Sequence, residues 1–184
     1  AGWRAVMGRT PGPSPDGVLD ADLGVLWGIR AVATNIHFAG RVKEARRRGA
    51  KVWLLETWAH EAAKLADRTV LVRPGTDGAL ALGLVHVLAR DGLADEAFLA
   101  AETEGWEALR AAALAGSPPD EVARVTGVPA AAVEDLARTL ARARAPFIRM
   151  GGGPSRHANG AMNVRAVAAL AAVLGAWGRK GGGL

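Results

Sequence analysis

Short apolar runs that end at glycine or at a polar pair alternate along this chain with longer stretches whose apolar positions recur every three or four residues. Leu23-Gly24-Val25-Leu26-Trp27 runs into Gly28, and Lys51-Val52-Trp53-Leu54-Leu55 stops at Glu56-Thr57. Neither run alternates apolar with polar, as a strand with one wet face would. Both read as strands buried on two sides, the pattern of a parallel sheet. Between them Asn35 to Arg48 has helical character, with Thr34 or Asn35 placed to cap its start and Gly49 just past its end. A strand–helix–strand unit of this length crosses over right-handed into a parallel sheet.

The same reading continues downstream. A short helix, His60 to Ala66, precedes a third strand, Thr69 to Val72, and Arg73-Pro74-Gly75 turns the chain. Thr76 is the expected N-cap of a helix over Asp77 to Arg90, whose apolar face carries Leu80, Leu84, Val87 and Leu88. Asp95 to Arg144 is alanine-rich, broken at Gly116-Ser117-Pro118-Pro119 and at Gly127-Val128-Pro129, so a few short helices are expected there. Pro146 to Met150 is a fourth strand, and Asn159 to Leu174, apolar nearly all round, is an interior helix.

This order predicts an α/β fold. The sheet is doubly wound, mostly parallel and Rossmann-like, with about four or five strands, flanking helices and a helical insert at 95–144. One α/β domain is expected over 1–184, divided into a partial strand and loop (1–22), a βαβ core (23–94), the insert (95–144), and a last strand with a buried helix (145–184). Gly8 to Asp22, rich in Pro and Gly, reads as surface loop. Residue 1 is Ala, Trp3-Arg4-Ala5-Val6-Met7 reads as a strand in mid-course, and Gly181-Gly182-Gly183-Leu184 reads as a connector. The chain is therefore expected to be a fragment of a larger protein.

Composition narrows the chemistry. Half of the 184 residues are hydrophobic, enough for a sizeable core. No apolar run approaches the roughly 20 residues of a membrane helix, so direct membrane insertion is not expected. The formal net charge of +5 and the run Arg46-Arg47-Arg48 suit a phosphate-bearing partner, either nucleic acid or an anionic dinucleotide. Cysteine is absent, which excludes disulfides, thiol catalysis and iron–sulfur ligation within the segment. His37, His60 and His86 are too scattered for a metal site, and no triad or carboxylate pair can be built by spacing. No catalytic residue is assigned. Trp27, Trp53 and Trp58 read as core or core-edge residues.

In open α/β sheets ligands bind beyond the carboxyl ends of the strands, near the point where strand order reverses. Four such ends carry suggestive residues: Gly28-Ile29-Arg30, Glu56-Thr57, Arg73 to Asp77, and Gly151 to His157. Gly28 lets a ligand approach the backbone, or simply makes a turn. Arg30 suits a phosphate or a stacked base, and Arg73 offers a planar fork to phosphate. Glu56 stands where an acid commonly binds ribose hydroxyls. Asp77 accepts from a guanine edge, or merely complements the helix dipole. The run Gly151-Gly152-Gly153-Pro154-Ser155-Arg156 lacks the third glycine of a G-x-G-x-x-G fingerprint.

Taken in order, these stretches resemble the molybdopterin oxidoreductases of the dimethyl-sulfoxide-reductase and formate-dehydrogenase superfamily. The similarity is carried by Asp22-Leu23-Gly24-Val25-Leu26-Trp27-Gly28, Ala33-Thr34-Asn35-Ile36-His37, and Lys43-Glu44-Ala45-Arg46-Arg47-Arg48-Gly49. It continues through Arg73-Pro74-Gly75-Thr76-Asp77-Gly78, Thr126-Gly127-Val128-Pro129, Arg156-His157-Ala158-Asn159-Gly160 and Gly175-Ala176-Trp177-Gly178-Arg179. The resemblance implies an α/β domain binding a molybdopterin guanine dinucleotide. It implies that Gly28 and its loop (Ile29, Arg30, Thr34, Asn35) lie by the pyrophosphate, and Glu56 and Thr57 by the guanosine ribose. Asp77 would lie at the guanine edge with Arg73 and Gly75 shaping that pocket, Arg156 and His157 towards the pterin side, and Gly151 among the cofactor-binding residues. Two stretches depart from the family pattern: Ile29-Arg30-Ala31 replaces a Ser or Thr, Asn and often Pro, and Glu56-Thr57 replaces Asp-Pro.

The resemblance further implies that molybdenum is ligated outside this segment and that the parent carries an iron–sulfur cluster. Partners would be the remaining domains of the parent enzyme and an iron–sulfur electron-transfer subunit, in the cytoplasm by preference over the periplasm. A cofactor-free relative of the complex I large-subunit type is the alternative. Asp120 to Leu140 also has the outline of a DNA-binding helix-turn-helix, but its second helix would open with Ala130, Ala131 and Ala132, small residues without donors for base edges. No nucleic-acid partner is expected. An ordinary NAD-binding Rossmann domain needs a glycine-rich first turn, and Gly28-Ile29-Arg30-Ala31-Val32 supplies one glycine.

Overall fold

The computed structural model describes residues 2–9 and 12–184. Helix α1 (Gly2–Met7) and a 3-10 turn (Pro15–Asp20) lead into β1 (Leu23–Trp27). After β1 come α2 (Ala31–Thr34), α3 (Ile36–Arg47), β2 (Lys51–Glu56), a 3-10 turn (Glu61–Leu65) and β3 (Arg68–Leu71). Helices α4 (Asp77–Arg90), α5 (Glu96–Glu102), α6 (Trp106–Gly116), α7 (Pro119–Thr126) and α8 (Ala130–Arg142) precede β4 (Pro146–Met150). The 3-10 turn Gly153–Ser155 and α9 (Gly160–Val173) follow.

The four strands form one parallel sheet in the order β3-β2-β1-β4. Both faces are covered at the central strands β1 and β2, which is why these read as continuous apolar runs, whereas the edge strand β3 buries only Val70. Val25, Trp27, Trp53, Leu55 and Ile148 point into a core shared with α4, α8 and α9. Leu26, Val52, Leu54 and Phe147 point the other way, against α3 and the 3-10 segments. The doubly wound α/β expectation holds. Helix α4 lies beneath the sheet and against α6, α7, α8 and α9, so Leu80, Leu84, Val85, Val87 and Leu88 are all buried, well beyond a single stripe.

Four local expectations change. Trp3 to Met7 is helix, not strand: Trp3 and Val6, three residues apart, both pack on the core, and the Trp3 ring meets Trp177 edge-on at 5.9 Å. The expected loop from Gly8 to Asp22 contains the 3-10 turn, with Thr10 and Pro11 outside the described residues. Thr76 occupies the N-cap position of α4, but its hydroxyl donates back to the Arg73 carbonyl at 2.7 Å and makes no cap bond. Asn35 precedes α3 likewise without a side-chain cap bond. The insert resolves into α5 to α8. Its helix-turn-helix outline is docked: Val133, Leu136, Ala137 and Leu140 of α8 are buried, while Glu134 pairs with Arg90 at the end of α4 and Arg138 with Asp91 just beyond it.

Candidate functional site

Register decides what gathers at the carboxyl edge. Trp27 stands level with Leu55 on one side and Met150 on the other, so Gly28, Glu56 and Gly151 are neighbours on one rim. The chain steps from β1 through β2 to β3 in one direction and adds β4 on the other side of β1. Strand order therefore reverses between β1 and β4, where Gly28 and Gly151 emerge.

That point is closed by backbone against backbone. Gly28 has φ +61° and donates its N–H to the Leu55 carbonyl at 2.9 Å. A Cβ on Gly28 would lie 2.4 Å from Cδ of Pro154, and one on Gly151 would lie 2.1 Å from the Gly28 carbonyl oxygen. Both positions are restricted to glycine by packing. Above this floor, the N–H groups of Ile29, Arg30, Gly152 and Gly153 donate to no acceptor among the described residues, although Ile29 is buried. Arg30, Gly152 and Gly153 are exposed, so their amides are open to an acceptor from outside the chain, while Ile29 is largely buried, where an amide without a partner is costly. Successive amides of this kind in a glycine-rich turn form an anion-binding concavity. Arg156 and His157 stand exposed beside them, with no ion pair among the described residues.

The third strand end is tied to the fourth. His157 lies against Gly75, whose φ is +80° and whose Cβ would come 3.1 Å from the imidazole Cγ. Asn159 donates to the Gly75 carbonyl at 3.2 Å. Asn163, fully buried in the first turn of α9, is the hub: it accepts from the Gly78 N–H at 3.1 Å and donates to the carbonyls of Pro154 (3.1 Å) and Gly75 (3.3 Å). Sequence reading missed Asn163. An amide inside a helix whose one other polar side chain is Arg165 was the available signal.

Other expected site residues are engaged locally. Asp77 is buried, and its Oδ1 accepts from the Trp27 indole N–H at 2.8 Å. The Arg73 guanidinium donates to the Arg124 and Val125 carbonyls at the end of α7. Arg30 pairs with Glu61 at 2.6 Å, and its carbonyl accepts from the Thr34 hydroxyl at 3.1 Å. The Glu61 carboxyl is held below its ordinary range by its own backbone N–H and by Arg30.

The Glu56 side chain is turned inward. One oxygen accepts from the exposed Thr57's N–H at 3.2 Å, and the other faces His60 Nε2 at 3.4 Å. His60 Nδ1 accepts from the Ala62 N–H at 3.1 Å, so the neutral ring carries its proton on Nε2, towards Glu56. Trp58 is not a core residue: it is 53% exposed, edge-on to His60 at 5.1 Å, with the Arg30 guanidinium over its ring at 5.6 Å. Two cavities lie elsewhere. One of about 350 Å³ flanks β4 beside Trp3 and Pro13, and one of about 1370 Å³ lies among α1, α5, α6 and α9.

A family model described as molybdopterin oxidoreductase matches residues 11–184. The chain belongs to the molybdopterin oxidoreductase family. It is 39% identical over 99% of its length to the probable oxidoreductase YoaE of Bacillus subtilis, covering 27% of that protein. It is 33% identical to the dimethyl sulfoxide reductase DmsA of Escherichia coli (95% of this chain, 24% of that one). Formate dehydrogenase H of the same organism is 31% identical (90% and 23%). The chain thus spans about a quarter of the curated relatives it matches. Acetylene hydratase from Pelobacter acetylenicus shares the fold, with a TM-score of 0.77 over 95% of this chain and 25% of that one at 24% identity.

Proposed function

We propose that this chain is the part of a molybdenum-dependent oxidoreductase that binds molybdopterin guanine dinucleotide along the carboxyl edge of its sheet, and that it carries no reaction by itself. The observation that carries the reading is the set of amides of Ile29, Arg30, Gly152 and Gly153, without acceptors among the described residues, flanking the strand-order reversal, with Arg156, unpaired among the same residues, alongside. A pyrophosphate supplies the acceptors and the negative charge that this set lacks. When bound, the cofactor supplies the redox-active metal end. The residues of this chain bind and orient.

In this reading Gly28 and Gly151 keep side chains off the phosphate path. Thr57 lies at the ribose, with Glu56 behind it. Oδ2 of Asp77, left over from the Trp27 bond, accepts from the guanine edge. Arg73 and Gly75 shape the pocket wall, Thr34 and Asn35 hold the loop beyond Gly28, and Arg156 and His157 face the pterin side. Iron–sulfur clusters, the metal ligand and the electron partner belong to the rest of the parent protein.

Titration calorimetry of the chain with guanosine diphosphate and adenosine diphosphate tests this. Binding of the guanine nucleotide, with about tenfold preference over adenine and a loss of affinity in Arg156→Ala, is the expected result. Absence of binding by both, and by the intact dinucleotide, would refute it and favour the cofactor-free reading.

A further inference from the structure

We infer that Trp58 is a stacking platform for the purine of the bound nucleotide, held in place by Arg30; this rests on the dinucleotide reading above. Trp58 is 53% exposed, and its indole offers a broad apolar surface whose covering by a planar ligand is favourable. Trp58 sits two residues beyond the end of β2, on the rim that carries Gly28 and Glu56. This is where the base of a nucleotide lies when its phosphates occupy the first strand's turn and its ribose the second strand's end.

The indole is also positioned. The indole and the buried His60 ring meet in an edge-type contact at 5.1 Å and 63°, and Arg30 lies over the indole at 5.6 Å. Arg30 is fixed in turn by Glu61 at 2.6 Å. Glu61 neutralises much of the charge that Arg30 would bring to a phosphate, whereas a guanidinium over an indole still holds the ring by cation–π attraction. Arg30 is thus a positioning residue and Trp58 the contact. His60, pinned by Ala62 and facing Glu56, supplies the opposing edge.

Stacking is indifferent to the hydrogen-bonding pattern of the base, because every base has a π-face. Trp58→Ala should therefore weaken guanosine and adenosine diphosphate by the same factor, roughly fivefold to a hundredfold, while Trp58→Phe keeps most of the affinity. In the wild-type chain, guanosine diphosphate should shield part of the tryptophan emission from acrylamide, and that shielding should vanish in Trp58→Ala. Arg30→Ala should lose less than Trp58→Ala and add little to it in the double variant. Unchanged affinity in Trp58→Ala, with the wild type binding normally, overturns the stacking role and leaves the dinucleotide reading standing. No binding by the wild type overturns both. An unaltered melting midpoint in the variants confirms that the comparison is between folded proteins.

Discussion

The indole N–H of Trp27, the last residue of β1, donates to Oδ1 of Asp77, the first residue of α4, at 2.8 Å within the core. The bond fixes the start of α4 against the end of β1, so the third strand's turn is held in register with the strand-order reversal. Trp27→Phe removes the donor and leaves a buried carboxylate oxygen unpaired. Urea unfolding should show a loss of about 1–3 kcal/mol, towards the upper value because the acceptor is charged. Asp77→Asn keeps an oxygen for Trp27 and should stay within about 1 kcal/mol of wild type. In the same variant the preference for guanine over adenine nucleotide should disappear, since an amide offers only one acceptor. A stable Trp27→Phe chain would mean the bond contributes little.

Much of this arrangement was legible in the sequence, and what escaped has a physical cause. Strands β1, β2 and β4 and helix α4 announce themselves because residues buried on both faces of the sheet leave unbroken apolar runs, Leu23 to Trp27, Val52 to Leu55 and Pro146 to Ile148. The glycines at positions 28 and 151 point to the site because the chain ends each strand with a residue lacking Cβ. Side-chain direction was not readable. Asp77 turns to Trp27, fifty residues away, Arg73 turns to the end of α7, and Trp58 faces water, all through contacts distant in sequence. Asn163 escaped for the same reason: its partners are Gly75 in the turn before α4, Gly78 in the first turn of α4, and Pro154 after β4.

That hub makes the second stability prediction. Asn163→Ala strips a bond from the Gly78 N–H and from two carbonyls at a fully buried position. A destabilisation of about 2–4 kcal/mol is expected, from unsatisfied groups plus a small void. Asn163→Asp should be worse, because a carboxylate cannot donate and would face the Pro154 and Gly75 carbonyls. Hydrogen exchange should quicken at Gly78 and around Gly152 in both variants. Exchange confined to α9 would show that the hub does not join the loops.

Gly151 yields a sharper test than Gly28. At Gly28 a side chain meets both a left-handed backbone and the Pro154 ring, so two causes of strain are mixed. At Gly151 the obstacle is the Gly28 carbonyl itself, 2.1 Å from an added Cβ. Gly151→Ala must therefore part β4 from the β1 turn, at a cost of about 3 kcal/mol or more. Chemical denaturation of both alanine variants is the measurement. The two costs should differ from Gly→Ala at exposed Gly40, where nothing lies within 4 Å and a helix interior favours alanine by about 1 kcal/mol.

The opposite rim of the sheet carries a proton-linked clamp. Asp22, just before β1, accepts from the N–H groups of Ala145 and Arg144 at 2.7 Å each, joining the amino ends of β1 and β4. Partial burial disfavours the charge, but the two N–H donors, with the Arg144 cation, outweigh it and hold the carboxyl below its ordinary range. The folded state thus binds this proton less readily than the unfolded chain. The stabilisation is complete well above the unfolded aspartate value of about 3.9 and is lost as pH falls through the lower folded value. Asp22→Asn removes the titration and turns an NH2 group towards one of the donors. It should cost about 1–2 kcal/mol at neutral pH and flatten the fall in stability below about pH 4. Asp67 and Asp95 are also held low, so part of the acid slope persists in the variant. Urea midpoints from pH 7 down to about pH 3 decide the matter: curves for Asp22→Asn and wild type that converge in acid identify the clamp, and curves that run parallel assign the proton to other carboxylates.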